Sequence, residues 1–416
     1  MINTIRGTMR KPSTISIVLG FILAQTLSLS CWAKNDLSIN ITEPNIASSL
    51  QRKIPPAPNI DAGSYILIAA DSGKIIVEHD SHLRIRPASL TKMMTMYVVS
   101  QALKSGQLTL DETVQVSRNA QSAEGSRMFL KAGDTVTVKE IIMGIIVDSG
   151  NDASIAIAEH IAGSEETFVN MMNAEAKQLG MNETHFSDCT GMPDPDHYST
   201  AYDMAILSNA LITHFPEYYP WYSEKWFTYN NIKQPNRNRL LWRDQYVDGI
   251  KTGHTNEAGY CLAASAKKDN MRLISVIMNT PSEAVRAEAA QQLLTYGFRF
   301  YKTHYIFKSN DTVNEARIWK GDSKTLPLGV TKDIIITIPN GQYKELKILT
   351  ELPKPLTAPY KKGETVGTLT IQLGSEQLLQ ADLIAKESVN KGGFFNRLSD
   401  SIHMTIHGAT DDNEVA

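Results

Sequence analysis

The stretch "RPASLTKMMTMY", residues 86–97, places a hydroxyl and an amine three positions apart, at Ser89 and Lys92. Residues from Ser89 to Leu103 are apolar at helical spacing, so the stretch predicts a helix on which these two side chains share one face. A serine hydroxyl becomes an effective nucleophile only when a nearby group accepts its proton. An uncharged Lys92 would be such a group.

The surroundings of Lys92 favour an uncharged amine. The ordinary pKa of a lysine is about 10.4, but burial and the positive end of a helix dipole both lower it. Three methionines follow Lys92 within four positions. The same Ser-x-x-Lys spacing recurs at Ser265 and Ser388, and alone it is more typical of a helix-capping serine with a solvated lysine.

Two further motifs carry polar groups suited to a cleft. Ser149-Gly150-Asn151 lies between two predicted helices, where a loop can present a hydroxyl and an amide, although the asparagine alone could be a helix N-cap. Lys251-Thr252-Gly253 ends a predicted strand, and its glycine allows a ligand to approach the backbone closely. By itself this motif could be a strand followed by a turn.

The order of predicted elements indicates an α/β (α+β) domain. Two β-rich runs within 64–79 predict a hairpin, and Thr137 and Glu140 are spaced as a capping box at the start of a helix. A helix is expected from about Asp152 to Ala162. Strands near 246–253, 259–267 and 271–279 are followed by a helix over 282–301. This order predicts one sheet built from both ends of the domain, with helices packed over it.

The sequence pattern changes beyond residue 303. Short β-rich runs predict a small all-β domain over 303–390, followed by an amphipathic helix over 392–407 and an acidic tail over 408–416. The apolar residues of the helix fall near one face: Phe394, Phe395, Leu398, Ile402 and Ile406. This pattern is typical of a helix that lies on a membrane surface, but a helix docked on its own domain has the same pattern.

The first 33 residues have the layout of a secretory signal peptide. Three basic residues precede an apolar run, and small residues stand three and one places before a cut after Ala33. An uncleaved anchor is the alternative. Cleavage would remove three positive charges and change the formal net charge from −3 to −6, which favours no nucleic-acid partner. Cys189 and Cys261 would remain, and sequence does not decide whether they pair.

The three motifs stand in the order SxxK, SxN, KTG, with 60 residues between Ser89 and Ser149 and 102 between Ser149 and Lys251. This is the signature of penicillin-recognising serine enzymes. The chain resembles the low-molecular-weight penicillin-binding proteins that act as serine-type D-alanyl-D-alanine carboxypeptidases and carry a C-terminal amphipathic anchor. The resemblance rests on "PASLTKMMT", "DSGNDAS", "HYSTAYDMA", "NRNRLLW", "VDGIKTGHT" and "GFFNRL", and on the β-rich region.

The resemblance implies a β-lactamase/transpeptidase-like fold over 34–302, with an antiparallel sheet, helices on both faces and a helical insert. It implies that Ser89 is the nucleophile, Lys92 its general base and Ser149 a proton relay. The substrate-binding residues it implies are Asn151, Lys251, Thr252, Gly253, His254 and Arg237. Among these, the backbone N–H of His254 would complete an oxyanion hole. Arg286 is a weaker candidate for carboxylate recognition, and a surface arginine is the alternative.

The resemblance further implies that the enzyme removes the terminal D-alanine from peptidoglycan pentapeptide stems and is acylated by β-lactams, with no metal or cofactor. It implies a periplasmic location on the outer leaflet of the inner membrane. A β-lactamase of the same fold is one alternative, but no ExxLN motif lies between Asn151 and Lys251. A transpeptidase and a non-catalytic peptidoglycan-binding protein are the others.

Overall fold

The computed structural model describes residues 54–309 and 311–407, except the side chains of residues 406 and 407. The predicted signal peptide at 1–33, most of the lead-in that follows it, and the acidic tail therefore lie outside the described residues.

A central antiparallel sheet forms from both ends of the first domain, as predicted. In the described part of the chain it has five strands in the order β2-β1-β9-β8-β7. Their bounds are β1 Ser64–Ala69, β2 Lys74–His79, β7 Val247–Thr255, β8 Gly259–Lys268 and β9 Met271–Thr280. The predicted hairpin is confirmed, since Tyr65 pairs with His79. Strand β7 forms one edge of the sheet, so one side of its backbone is not covered by another strand of this sheet.

Alternating side chains of the sheet enter two separate cores. Ile66 and Ile68 point toward a large core shared with most of the helices, whereas Leu67 and Ala69 join a second core beneath the helix Glu283–Phe300. This alternation follows from the two-residue repeat of a strand. The prediction of helices on both faces of the sheet is confirmed.

The helices agree closely with the sequence patterns. They are α1 Lys92–Ser105, α2 Arg118–Ser122, α3 Val138–Ile146, α4 Asn151–Ala162, α5 Glu165–Gln178, α6 Ala201–His214, α7 Leu240–Arg243, α8 Glu283–Phe300 and α9 Phe394–His407, with 3-10 turns at Ala88–Thr91, Tyr219–Ser223 and Tyr343–Glu345. Thr137 and Glu140 form the expected reciprocal capping box on α3. Gly163 ends α4 in the left-handed conformation that glycine adopts without steric cost. Short ribbons join β3 Thr113–Gln115 to β4 Thr135–Thr137 and β5 Trp226–Tyr229 to β6 Ile232–Pro235.

The chain after α8 is rich in β structure, as predicted. A sheet with the order β11-β12-β16-β15-β14 and a pair β10-β13 enclose a third apolar core. The strands are β10 Tyr301–Phe307, β11 Asn314–Arg317, β12 Thr325–Gly329, β13 Ile334–Pro339, β14 Leu346–Glu351, β15 Thr365–Leu373 and β16 Glu376–Ala385. Ser72 in the β1–β2 turn hydrogen-bonds Thr337 at 2.7 Å, so polar contacts connect this region to the first sheet.

Helix α9 presents its polar side to the β-rich region. Asn396, Ser399, Asp400 and His403 line a cleft of about 610 Å³ against residues 317–325, and the Asp400 carboxylate accepts the Lys320 N–H. The apolar side chains point away: Phe394 is 67 %, Phe395 82 %, Leu398 49 % and Ile402 51 % exposed. The side chain of Ile406, the fifth predicted member of the apolar face, lies outside the described set. Within the described residues, no helix has the length and apolarity to cross a membrane.

Candidate active site

The junction between a 3-10 turn and α1 positions Ser89 and Lys92. The turn Ala88–Thr91 carries Ser89, and Lys92 is the first residue of the α-helix that follows, so the helix prediction is right except for this tighter first turn. The Lys92 Nζ atom lies 3.1 Å from the Ser89 Oγ atom. Nζ also donates to Asn151 Oδ1 and to the Thr190 carbonyl oxygen, both at 2.6 Å. The structure therefore brings the predicted nucleophile and base into contact.

Burial lowers the pKa of Lys92 to about 8, because water no longer solvates the charged form of this fully buried side chain. The nearby Arg237 charge lowers it further, while Asp188 and Asp152 oppose the shift. The three methionines of the motif are buried as expected. The three hydrogen-bond partners of Nζ are oxygens, so the buried amine also has polar contacts.

Ser149 and Lys251 form a second contact pair. The loop before α4 holds Ser149 with a φ of 59°, a left-handed conformation that non-glycine residues seldom adopt. Its Oγ accepts a hydrogen bond from Lys251 Nζ at 2.9 Å, and Nζ also donates to the Thr252 carbonyl at 3.0 Å. Burial, followed by the positive charges of Lys92 and two arginines, holds the pKa of Lys251 well below its usual value.

The KTG segment lies on the edge strand β7 and packs directly on the nucleophile turn. A Cβ atom placed on Gly253 would lie 2.8 Å from the Pro87 carbonyl oxygen and 3.2 Å from the Leu90 nitrogen. The sequence suggested that this glycine admits a ligand to the backbone. In the structure, the close neighbour is the chain itself, which brings β7 beside Ser89.

Three further predicted residues lie on or beside β7. Arg237 donates to Ser126 Oγ at 2.5 Å, and Nη1 of Arg286 donates to the Gly253 carbonyl at 3.1 Å. Arg286 is only 4 % exposed, so the alternative of a surface arginine is wrong. The His254 ring is exposed and packs on Tyr260, with ring centroids 4.0 Å apart.

The side-chain amide of Asn151, the first residue of α4, contacts both Lys92 and the segment that contains Glu124. While Oδ1 accepts from Lys92, Nδ2 donates to the Glu124 carbonyl at 2.6 Å and lies 3.7 Å from the sulfur of Met192. Gly150, not Asn151, occupies the N-cap position of the helix. The side chain is therefore free of a capping role and is committed to the site.

Sequence reasoning missed several groups at the site. The Thr190 carbonyl is a backbone acceptor and has no sequence signal. Asp148 is buried beside Ser149, and neither of its carboxylate oxygens has a hydrogen-bond partner among the described residues. Burial raises the pKa of Asp148 to about 7, although Arg237 opposes the shift. Asp188 and His197 lie in the segment "DCTGMPDPDHYST", where no motif marks either side chain as part of the site.

Other open alternatives are resolved by packing. Cys189 and Cys261 are both buried free thiols and do not pair. The aromatic stretch 215–229 is expected from its sequence to pack locally, with a groove for the peptidoglycan stem as the alternative, and Phe215, Tyr219 and Tyr222 are buried, which agrees with local packing. Trp226 is 49 % exposed and packs edge-on against Trp242.

A serine paired with a buried lysine, a second serine paired with another buried lysine, and a neighbouring edge strand define a serine enzyme that transfers acyl groups. The sheet with helices on both faces is the scaffold of penicillin-recognising enzymes. Residues 51–282 match the family model described as D-alanyl-D-alanine carboxypeptidase, and residues 301–391 match the model for the C-terminal domain of penicillin-binding protein 5. The chain belongs to the D-alanyl-D-alanine carboxypeptidase family.

Individual proteins that resemble this chain in sequence or structure support the family assignment. The chain is 45% identical over 359 residues to the D-alanyl-D-alanine carboxypeptidase DacC of Escherichia coli K12, covering 84% of this chain and 90% of that protein. Penicillin-binding protein 5 from Haemophilus influenzae has a similar crystal structure, with a TM-score of 0.78, 42% identity, and coverage of 81% of this chain and 99% of that one. The Streptomyces K15 DD-transpeptidase has a TM-score of 0.55 and 25% identity, covering 59% of this chain and 99% of that one. The predicted fold class is confirmed.

Proposed function

We propose that the chain removes the terminal D-alanine from peptidoglycan stems through an acyl-enzyme on Ser89. The contact that carries this proposal is the 3.1 Å approach of Lys92 Nζ to Ser89 Oγ. A neutral amine has two hydrogens and one lone pair. If the hydrogens go to Asn151 and the Thr190 carbonyl, the lone pair points at the Ser89 hydroxyl and can accept its proton. The protein thereby orients the base before substrate arrives.

The reaction proceeds by acyl transfer in two steps. Ser89 Oγ attacks the penultimate D-alanine carbonyl while its proton moves to Lys92, and the negative charge that develops on oxygen is stabilised by the backbone N–H groups of Ser89 and His254. The Ser149 hydroxyl, held by Lys251, passes a proton to the nitrogen of the departing D-alanine and takes in its place the proton that Lys92 received from Ser89, so that Lys92 is neutral again for the second step. Water then hydrolyses the acyl-enzyme and restores the Ser89 hydroxyl.

Substrate binds along the free edge of β7 as an added strand. Thr252 and the cations Lys251 and Arg237 receive the terminal carboxylate, because opposite charge and hydrogen bonding favour it there. The second Nδ2 hydrogen of Asn151, which faces the weak acceptor sulfur of Met192, is available to the acyl carbonyl. The same contacts accept a β-lactam, whose carboxylate and amide occupy corresponding places.

Intact-mass measurement after incubation with benzylpenicillin tests the nucleophile. We expect one covalent adduct on the unmodified chain and none on Ser89→Ala. Ser388→Ala is the matched control, because Ser388 has the same spacing to a lysine but is exposed and lies in the β-rich region. An adduct that persists on Ser89→Ala would overturn the proposed role. D-alanine release from a pentapeptide stem, with and without an amine acceptor, then compares hydrolysis with transpeptidation.

We also propose export and attachment to a membrane surface through α9. The basic start, apolar run and small residues of 1–33 support cleavage after Ala33 and a periplasmic location. The exposed side chains of Phe394, Phe395, Leu398 and Ile402 support binding of α9 to lipid. Because the helix has few basic residues, apolar burial is the main attraction, so binding should depend little on salt.

Sedimentation with vesicles tests the attachment. We expect the chain to pellet with zwitterionic and with partly anionic vesicles, and Phe395→Ser with Ile402→Ser to abolish pelleting. Asn396→Ser is the matched control on the side of α9 that faces the β-rich region. Unchanged pelleting of the double variant would refute the proposed role of α9. N-terminal sequencing of exported protein tests the cleavage site.

A further inference from the structure

The loop beside the nucleophile turn is organised by one carboxylate. Asp188 Oδ1 accepts hydrogen bonds from the N–H of Thr190 at 2.6 Å, from the Thr190 hydroxyl at 2.7 Å and from the N–H of Gly191 at 2.6 Å. These bonds fix the peptide whose carbonyl accepts from Lys92. Asp188 therefore determines where one of the three oxygens around the Lys92 amine lies.

The other oxygen of Asp188 extends the contact to the far side of the turn. Oδ2 lies 3.2 Å from Nδ1 of His197, whose side chain is only 1 % exposed. Nε2 of the same ring lies 2.8 Å from the hydroxyl of Thr91, the last residue of the nucleophile turn, which directly precedes Lys92. A chain of contacts from the half-buried Asp188 through the buried His197 and Thr91 thus connects the loop to the helix start that carries the catalytic amine.

The loop and the turn are also in direct backbone contact. Gly191 has a φ of 91°, and a Cβ atom there would lie 1.9 Å from the Ala88 carbonyl oxygen and 2.9 Å from Thr91 Oγ1. The Thr95 hydroxyl donates to the Cys189 carbonyl at 2.6 Å. Since no space separates the two segments, a displacement of the loop is transmitted to the turn.

The protonation of His197 follows from its partners. If Nδ1 carried a lone pair, it would face the Asp188 carboxylate at 3.2 Å, an unfavourable pairing in a buried site. The Ser187 N–H also points at Nδ1, from 3.3 Å, but it is a weaker partner than a full negative charge. Nδ1 therefore carries hydrogen and donates to Asp188, and in the neutral ring Nε2 accepts from the Thr91 hydroxyl.

We propose that Asp188 and His197 are positioning residues for acylation, which hold the Thr190 carbonyl and the Thr91 hydroxyl in place around the Ser89–Lys92 pair. The inference rests on the proposed roles of Ser89 and Lys92. Neither residue contacts substrate; both act through the loop and the turn.

The charge of Asp188 supplies a measurable signature. Asp188 and Asp152 raise the pKa of the Lys92 amine, Arg237 lowers it, and the buried Cys189 thiol is held neutral by its own raised pKa. Lys251 adds a further positive group in the same cluster. Hydrogen bonds from His197, the Thr190 hydroxyl and the Gly191 N–H overcome the effect of burial and hold the pKa of Asp188 well below its usual range, so Asp188 is ionised throughout the working pH range. Removing its charge must lower the pKa of Lys92.

The test is the pH dependence of acylation in Asp188→Asn. The asparagine Oδ1 retains the three loop bonds, but its amide now donates to His197 Nδ1, so the ring proton moves to Nε2 and the bond to Thr91 reverses direction. We expect the rising limb of the acylation rate to move to lower pH by about half to one unit, since a charge beyond direct contact shifts a pKa by less than a contacting one. The plateau above that limb should fall about tenfold because the reacting groups are misplaced.

Asp196→Asn is the matched control, because Asp196 is an exposed carboxylate of the same segment. Its limb and plateau should match the unmodified chain. A limb that stays in place in Asp188→Asn, whatever the plateau does, would overturn the inference while leaving the Ser89 acyl-enzyme intact. A penicillin adduct that persists on Ser89→Ala would instead point to a failure of the proposed function.

A measurement on the unmodified chain keeps the inference testable if Asp188→Asn does not fold. Nitrogen-15 NMR of labelled histidine should show a protonated Nδ1 for His197. A bare Nδ1 with a protonated Nε2 would contradict the arrangement, because the ring could then not donate to Asp188.

Discussion

The acylation rate should follow the ionisation of Lys92 across the neutral pH range. Only the neutral amine can accept the Ser89 proton, and burial lowers its pKa to about 8 from a usual value of 10.5. The neutral form therefore increases as pH rises through 8. The rate of acylation should rise with it and level off above pH 9.

The size of the effect follows from the shift in pKa. A lysine with an ordinary pKa is about 0.03 % neutral at pH 7, whereas one with a pKa of about 8 is about 10 % neutral, a gain of about 300-fold in usable base. The corresponding free-energy difference is about 3 kcal/mol. The rate should increase about tenfold between pH 6 and pH 7, because nearly all of the amine is still charged in that interval.

Stopped-flow acylation by a fluorescent penicillin, from pH 5.5 to 10, measures this profile. In Lys92→Ala the rise of the acylation rate with pH should disappear. The rate itself should fall by about 10²–10⁴-fold, the usual contribution of a general base. Lys251→Arg is the control for the other buried amine: it keeps a positive charge that does not titrate in this range, so the limb should survive. A flat profile between pH 6 and 9, or a limb centred near 10.5, would refute the assignment of Lys92 as base.

Three further changes test the framework of the site. Gly191→Ala should lower the free energy of unfolding by about 3 kcal/mol or more, as measured by chemical denaturation. Residue 191 has a left-handed backbone conformation, and the new methyl would collide with the Ala88 carbonyl. Asp152→Asn should cost about 2–3 kcal/mol in the same assay, since the buried carboxylate accepts three backbone N–H groups and an amide can accept fewer. Arg286→Ala should slow acylation about tenfold, because the Gly253 carbonyl loses its donor, while the pH at which the rate reaches its plateau should not change.

Each of these changes has a matched control. Gly133→Ala has nearly the same φ, 90°, but open space around the new methyl, so its cost should be about 1 kcal/mol. Equal costs at Gly133 and Gly191 would show that the contact with the turn is not tight. Asp196→Asn should leave stability unchanged, and a similar loss there would mean that the Asp152 bonds are not special. Arg286→Lys should acylate faster than Arg286→Ala. Equal rates for the two variants would indicate that the guanidinium geometry is required.

Local patterns predicted most of the secondary structure. The capping box on α3, the glycine at the end of α4 and the helix over 283–300 depend on neighbours within a few residues, and all are confirmed. The 3-10 geometry of the turn before Lys92 differs from the predicted α-helix, and this turn packs closely against Gly253 and Gly191, which are distant in sequence.

The chemistry of the site was also readable, but its surroundings were not. Residue type and spacing predicted the roles of Ser89 and Lys92, the resemblance implied those of Ser149 and Lys251, and the structure places these groups in contact in pairs. The oxygens that contact the Lys92 amine beyond Ser89 were not predicted as its partners. The reason is that a backbone carbonyl, such as that of Thr190, is identical at every residue and leaves no mark in the sequence.

The amino-acid sequence by itself determined the elements, the motif residues and the family, because these depend on periodicity, spacing and side-chain chemistry. Only the tertiary structure decided which Ser-x-x-Lys pair meets a cleft, that Arg286 is buried, and that Asp188 and His197 brace the nucleophile turn. Those facts depend on contacts between segments about 100 residues apart, as between Lys92 and the Thr190 carbonyl, 98 positions away. Burial and direction at such contacts are properties of the folded chain, and they set the pKa values on which the reaction depends.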